Sequence, residues 1–183
     1  MPDEHALAAF PYSVIRRLDE IDLHDSFIVA VQDAPQTIGK TFEKLIGFSL
    51  GPQNFDTTKG PDLHVCEDLD GIDVLRDGKY SLALNCQLSN PTGDGYFEPA
   101  VEPNGLSLSE DLWPTDIVQG HIGKYLPAAI FGWAEVNVGS DATYVAPKLN
   151  AGALVTGWAR FGSASGTETI DVTAILYATR ITS

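Results

Sequence analysis

The sequence predicts a mainly β protein: an antiparallel β-sandwich of jelly-roll type with a small N-terminal α+β arm. Three observations carry this reading. The stretch "KYSLALNCQLS" alternates strictly, with Tyr80, Leu82, Leu84, Cys86 and Leu88 on one face and Ser81, Ala83, Asn85, Gln87 and Ser89 on the other. Beyond residue 62, short β-rich runs are punctuated by Gly, Asp, Asn and Ser about every ten residues. Helical periodicity is confined to residues 1–50.

In order along the chain, "PYSVIRRLDEIDLHD" places Val14, Ile15 and Leu18 near one helical face, with Pro11 and Ser13 as start signals. "SFIVAV", Ser26–Val31, is rich in β-branched residues and reads as a strand. "QDAPQ" is a turn and "TIGK" is extended. "TFEKLIG" reads as a short helix that Thr41 caps, Phe42, Leu45 and Ile46 line, and Gly47 ends. "GPQNFDTTKGPD" is dense in turn formers and reads as a linker. "RDGK" supplies a hairpin-type turn before the alternating strand. "AAIFGWAEVNVG", "ATYVAP", "ALVTGWARFGS" and "TETIDVTAILYATRI" follow as strands, and Gly105–Leu126 is irregular. The last strand is apolar on both faces: Ile170, Val172, Ala174 and Leu176 on one, Ile175, Tyr177 and Ile181 on the other. Such a strand is central in a sandwich or packs on a second subunit. The resulting division is an arm over 1–50, a linker over 51–62 and a β-sandwich over 63–183.

The 183 residues are 44% hydrophobic and carry a formal net charge of -14. That charge disfavours nucleic acid, whose affinity comes from neutralising phosphates, and disfavours anionic membranes. Between Pro61 and Asp116 the only bases are Arg76 and Lys79. No apolar run is long enough to span a bilayer, and "MPDEHALAAF" lacks the basic region of a secretory signal. The chain is therefore expected to be made in the cytoplasm. Cys66 and Cys86 sit in strand-like runs and read as free structural thiols.

Catalytic patterns fail one by one. "GFSLG", Gly47–Gly51, matches the G-x-S-x-G nucleophile elbow, which needs a strand before the serine and a helix after it. Around Ser49 the expected order is reversed, and Pro52 follows. His5, His24, His64 and His121 are scattered without zinc spacing. Asp68, Asp70 and Asp73 around Gly71 form a loose calcium candidate without the closing Glu. No acid/base pair, activated nucleophile or cofactor cradle assembles, so no enzyme and no cofactor is expected. Among the aromatics, Trp133 and Trp158 lie within strands and read as core or subunit-interface anchors, together with Ile175 and Tyr177 on the second face of the last strand. Trp113 and Tyr125 lie in the irregular region and are the candidates for a carbohydrate platform.

"LDEIDLHDSFIVAVQDAPQTIGKTFEKL", Leu18–Leu45, resembles a docking module near the N-termini of bacteriophage tail-fibre and fibre-like virion proteins. The shared pattern is Asp25, the strand Phe27–Val31, the turn Asp33–Gln36, Thr37 through Lys40, Thr41 and a short helix ending in Leu45. Ile38 and Gly39 put two residues between Thr37 and Lys40 where one is commoner. "DGKYSLALNCQLS" is similar to the strand after a D-G turn in tumour-necrosis-factor-like jelly rolls, and "ILYATRI" to their closing strand. These resemblances imply a virion structural protein, most concretely a trimeric capsid decoration (cement) protein at the virion surface. They imply docking through Phe27, Val29, Val31, Thr37, Lys40, Thr41 and Leu45. The implied partners are copies of itself and the major capsid protein, or tail and fibre proteins in the alternative reading of a tail, fibre or baseplate component. A carbohydrate-binding module is the alternative of another class.

Overall fold

In the computed structural model, the described residues are 26–51, 58–60, 62–103, 124–126, 132–138, 147–162 and 166–182. They contain strands and turns and no helix. The strands are β1 (Phe27–Gln32), β2 (Gln36–Ile38), β3 (Glu43–Lys44), β4 (Phe48–Leu50), β5 (Thr58–Lys59), β6 (Leu63–Val65) and β7 (Ile72–Val74). They continue as β8 (Gly78–Ser89), β9 (Gly95–Glu102), β10 (Lys124–Leu126), β11 (Gly132–Val138), β12 (Lys148–Leu149), β13 (Leu154–Gly162) and β14 (Ile170–Thr182).

Two antiparallel sheets face each other. The larger runs β11-β8-β14-β1-β4, and the smaller runs β10-β9-β13-β7-β6. From β7 onward the long strands alternate between the sheets: β8 in the larger, β9 in the smaller, β11 in the larger, β13 in the smaller, β14 in the larger. This crossing order is a jelly roll, and it agrees with the expected fold class. "RDGK" therefore passes from one sheet to the other and does not close a hairpin, because β7 pairs with β6 and β13 while β8 pairs with β11, β12 and β14.

Alternation explains the core. Tyr80, Leu82, Leu84, Cys86 and Leu88 of β8 point inward, as do Ile170, Val172, Ala174, Leu176 and Ala178 of β14. Phe97 and Val101 of β9 and Val155, Ala159 and Phe161 of β13 meet them from the smaller sheet. Burying one such apolar side chain contributes about 1.5–3 kcal/mol. Cys86 lies in this core, and burial pushes its thiol pKa far above the ordinary range. Both cysteines are free.

The first fifty residues are organised differently from the expectation. The helix expected over Pro11–Asp25 lies outside the described residues. The helix expected over "TFEKLIG" is replaced by extended chain: β3 pairs with β13, Lys44 opposite Trp158, and Leu45 N–H donates to Gly157 O at 2.9 Å. The i, i+3 spacing of Phe42 and Leu45 serves two different contacts. Leu45 enters the main core, while Phe42 packs with Ala100 and Trp158 on the outer side of the smaller sheet. Gly47 does make a turn, at φ 80°, and its carbonyl accepts from Asp33 N–H.

The boundary at residue 50 is corrected too. β1 sits within the larger sheet, paired with β14 from Phe27↔Thr179 to Val31↔Ile175. β2 pairs with the start of β14, and β4 pairs with β1. Inside the expected linker, β5 pairs with β1 and Asp62 is buried. The sandwich thus begins by residue 27.

Candidate functional site

The larger sheet has a second face. Because side chains alternate, residues paired across strands share a side. Along β8, Ser81, Ala83 and Asn85 are half-buried and Gln87 is exposed. Their β14 partners are Thr179, Tyr177, Ile175 and Thr173. The β1 residues opposite these are Phe27, Val29 and Val31, also half-buried. The middle of this outer face therefore reads Phe27, Val29, Val31, Ala83, Ile175 and Tyr177, interrupted by small polar groups. None of these positions on β1, β8 and β14 is charged; Lys79 and Asp171 lie at opposite ends. The adjoining strands bring charge to its margins, Glu135 opposite Asn85 and Lys59 opposite Phe27. A largely apolar centre, uncharged along three strands of a chain of net charge -14, is the main candidate for an interaction surface.

The structure merges two groups of residues that the sequence kept apart. Phe27, Val29 and Val31, expected to dock on a particle, share this face with Ile175 and Tyr177, expected at a subunit interface. Thr37, Lys40 and Thr41 are exposed elsewhere, near the start of β14, where Thr37 Oγ1 donates to Asp171 Oδ1 at 2.5 Å. That bond and the Asn90 amide hold the Asp171 carboxyl below its usual pKa. Leu45 is fully buried, so in this fold it cannot reach a partner. Trp133 falls on β11 opposite Gln87, and its side chain lies outside the described residues.

Trp158 has another role than the one expected for an open interface. It is 6% exposed, packed with Phe42 and Ala100. Its indole N–H donates to Thr156 Oγ1 at 2.8 Å. The Arg160 guanidinium lies 4.8 Å from the Phe42 ring centre and pairs with Glu98. Glu98, Glu102 and Thr156 on this side of the smaller sheet are all buried. The ring is an anchor within the chain.

The calcium candidates diverge. Asp70 accepts from Lys44 Nζ at 2.8 Å and from the Cys66 thiol at 2.8 Å. Those two bonds, the thiol's first, lower the Asp70 pKa, while burial and the Asp70 carboxylate raise that of Cys66. Asp73 faces His64 Nδ1 at 3.5 Å. Asp68 is exposed. Among the described residues no group of three His, Cys, Asp or Glu side chains converges to hold a metal. Trp113 lies outside the described residues, and the side chain of Tyr125 on β10 does as well.

Ser49 stands opposite Val31 in β4, and its hydroxyl donates to Asp33 Oδ1 at 2.5 Å at the surface. Among the described residues no helix follows it and no histidine contacts it, so nothing described there has the elbow geometry. Ser49→Ala should change thermal unfolding by the equivalent of about 0.5 kcal/mol or less. Differential scanning calorimetry checks this, and a larger loss would assign the hydroxyl a role that this geometry lacks.

No family model matches the sequence, and no curated protein matches it. Solved structures do. A crystal structure of murine APRIL at pH 5.0 is similar at 12% identity and a TM-score of 0.49, covering 84% of this chain and 98% of that one. The structure of Eiger TNF from S. frugiperda is similar at 10% identity and a TM-score of 0.44, covering 85% of this chain and 92% of that one.

Proposed function

We propose that this chain is a structural protein of a bacteriophage particle: a homotrimeric capsid decoration protein that works by adhesion. The observation that carries the reading is the apolar centre of the larger sheet's outer face, uncharged along β1, β8 and β14, where Val29, Val31, Ile175 and Tyr177 lie half-buried in register. Burying this centre between copies removes apolar area from water. A closed ring of copies then presents one particle-facing surface several times over, and modest contacts add through multivalency. The resemblance of Leu18–Leu45 to fibre-type docking modules supplies the phage assignment. With Phe27, Val29 and Val31 committed to the oligomer, particle contact falls to the exposed Thr37, Lys40 and Thr41, and the partner is the major capsid protein.

Two experiments test the reading. In an electron-microscopy map of intact particles of the phage that encodes the chain, density for the trimer is expected on the capsid surface. Density on the tail would move the assignment to a tail or fibre component, and absence from the particle would overturn it. Ile175→Glu should yield a folded monomer. A charge placed in the buried face opposes association by on the order of 4 kcal/mol, roughly a thousandfold in dissociation constant. Light scattering after size exclusion reads this directly, and an unchanged oligomer would remove the face from the interface.

A further inference from the structure

Six large apolar side chains are exposed among the described residues, and three of them gather on one flank. Ile46 is 54% exposed, Leu50 46% and Leu69 42%. The flank is where β4, the edge of the larger sheet, borders the turn between β6 and β7. There Phe48 N–H donates to Leu69 O at 2.8 Å, and Lys44 Nζ donates to Asp70 Oδ2 at 2.8 Å. Ile46 falls between those two contacts along the chain. Leu69 adopts φ 57°, a left-handed conformation that bulky side chains rarely take. Asparagine or glycine would fit that position without strain, and a side chain so exposed recovers little by burial. Such an outlier points to a function for the side chain itself. Ile46 is held by hydrogen bonds at both its backbone groups. Its N–H donates to Gln36 Oε1 at 3.1 Å, and its carbonyl accepts from Gln32 Nε2 at 2.9 Å. Gln32 is buried and in turn accepts from Ala174 N–H at 3.0 Å. An apolar group fixed in this way loses little freedom on binding.

The border of this flank is acidic. Asp33 is tied to Gly47 through its N–H, and Glu67 and Asp68 are exposed on the turn. Lys44 and Asp70 neutralise each other. Two copies meeting symmetrically here would bring the remaining acids together, so the charge selects a partner of opposite sign. We propose that Ile46, Leu50 and Leu69 are an apolar anchor for a different protein, received in an apolar socket rimmed by lysine or arginine. In the reading above that protein is the shell protein of the particle. Thr37 follows Gln36 directly, so the anchor adjoins the polar contact assigned to Thr37, Lys40 and Thr41. The inference rests on the particle attachment proposed above and names the side chains and partner chemistry that direct it.

The test is co-sedimentation of the purified full chain with particles assembled without it. Leu69→Asn should weaken binding at least tenfold, while its unfolding midpoint equals or exceeds that of wild type, because asparagine suits the left-handed turn. Ile46→Ser keeps both backbone bonds and should weaken binding to a similar degree. Added salt should weaken wild-type binding, and Glu67→Gln with Asp68→Asn should reduce that dependence. A lower unfolding midpoint for Leu69→Asn would make the leucine a structural residue and overturn the anchor. Variants that bind like wild type, or that change the oligomer in sedimentation equilibrium and not particle binding, overturn the anchor and leave the particle reading standing. A wild-type chain that does not bind the particles overturns both.

Discussion

Arg180→Met should lower the unfolding free energy by about 3–5 kcal/mol, the range for stripping one partner from a buried ion pair. Arg180 is 3% exposed and Asp62 is 4% exposed. The guanidinium reaches Asp62 Oδ2 from Nη1 at 3.2 Å and donates from Nη2 to Asp77 O at 3.0 Å. Ser26 Oγ donates to the same carboxylate oxygen at 3.0 Å, and Arg180 N–H donates to Ser26 O at 2.7 Å. Without Arg180, the carboxylate keeps, among the described residues, the Ser26 hydroxyl and the solvent-facing Arg76, whose Nη1 is 3.8 Å away. The Arg180 Nε itself lacks a partner, so the site is not fully satisfied even in the wild type. Replacing both members, Arg180→Met with Asp62→Leu, should therefore restore much of the lost stability. Urea unfolding midpoints decide the matter. A single variant within 1 kcal/mol of wild type would mean that water reaches the carboxylate.

Phe161→Ala should cost about 3–5 kcal/mol by opening a cavity between the sheets. Phe161 is fully buried and pairs with Phe97 across β13 and β9. Its ring lies against the backbone of Gly95, where an added Cβ would stand 2.7 Å from the ring tip. Gly95 supplies no side chain to collapse into the space, so relaxation is limited. The Phe161 N–H also donates to Gly39 O at 2.7 Å, tying the β2–β3 connection to the smaller sheet. Guanidinium unfolding followed by tryptophan fluorescence should show the midpoint fall at constant slope. A loss under 1 kcal/mol would show that the neighbouring side chains refill the site.

The long strands were legible in the sequence because alternation is a direct imprint of a half-buried sheet. β8 and β14 present the faces that their residues announce, including the outward Ile175 and Tyr177. Two- and three-residue strands such as β3, β5, β7 and β12 were not legible, since no period fits so short a run, whereas β6 lies in the strand-like run that ends at Cys66. Phe42 and Leu45 misled for a definite reason: helical spacing arose from two unrelated burials, one on each side of the smaller sheet. Thr41 and Gly47 then completed a false helix with plausible ends. The Arg180–Asp62 pair carried half a signal. Counting by twos from Ile170 through Leu176 and Ala178 arrives at Arg180, a charge aimed inward that demands a buried partner. Its partner lay in a stretch that composition marked as linker, so only the fold could join them. Asn85 looked like any polar outward residue; what distinguishes it is a side-chain oxygen buried without a hydrogen bond, which no linear pattern records.

The pairing of β1 with β14 has a temporal consequence. Val29 stands opposite Tyr177 in the register of the two strands, so the strand near the beginning of the described chain waits for one near its end. While the ribosome is still translating, Phe27–Gln32 has, among the described residues, no partner in the larger sheet beyond the short β4 and β5. Contacts of such sequence separation form slowly, and the waiting strand is exposed to aggregation meanwhile. The larger sheet can therefore close only after residues 170–182 have cleared the exit tunnel, and subunits can meet across its outer face only after that.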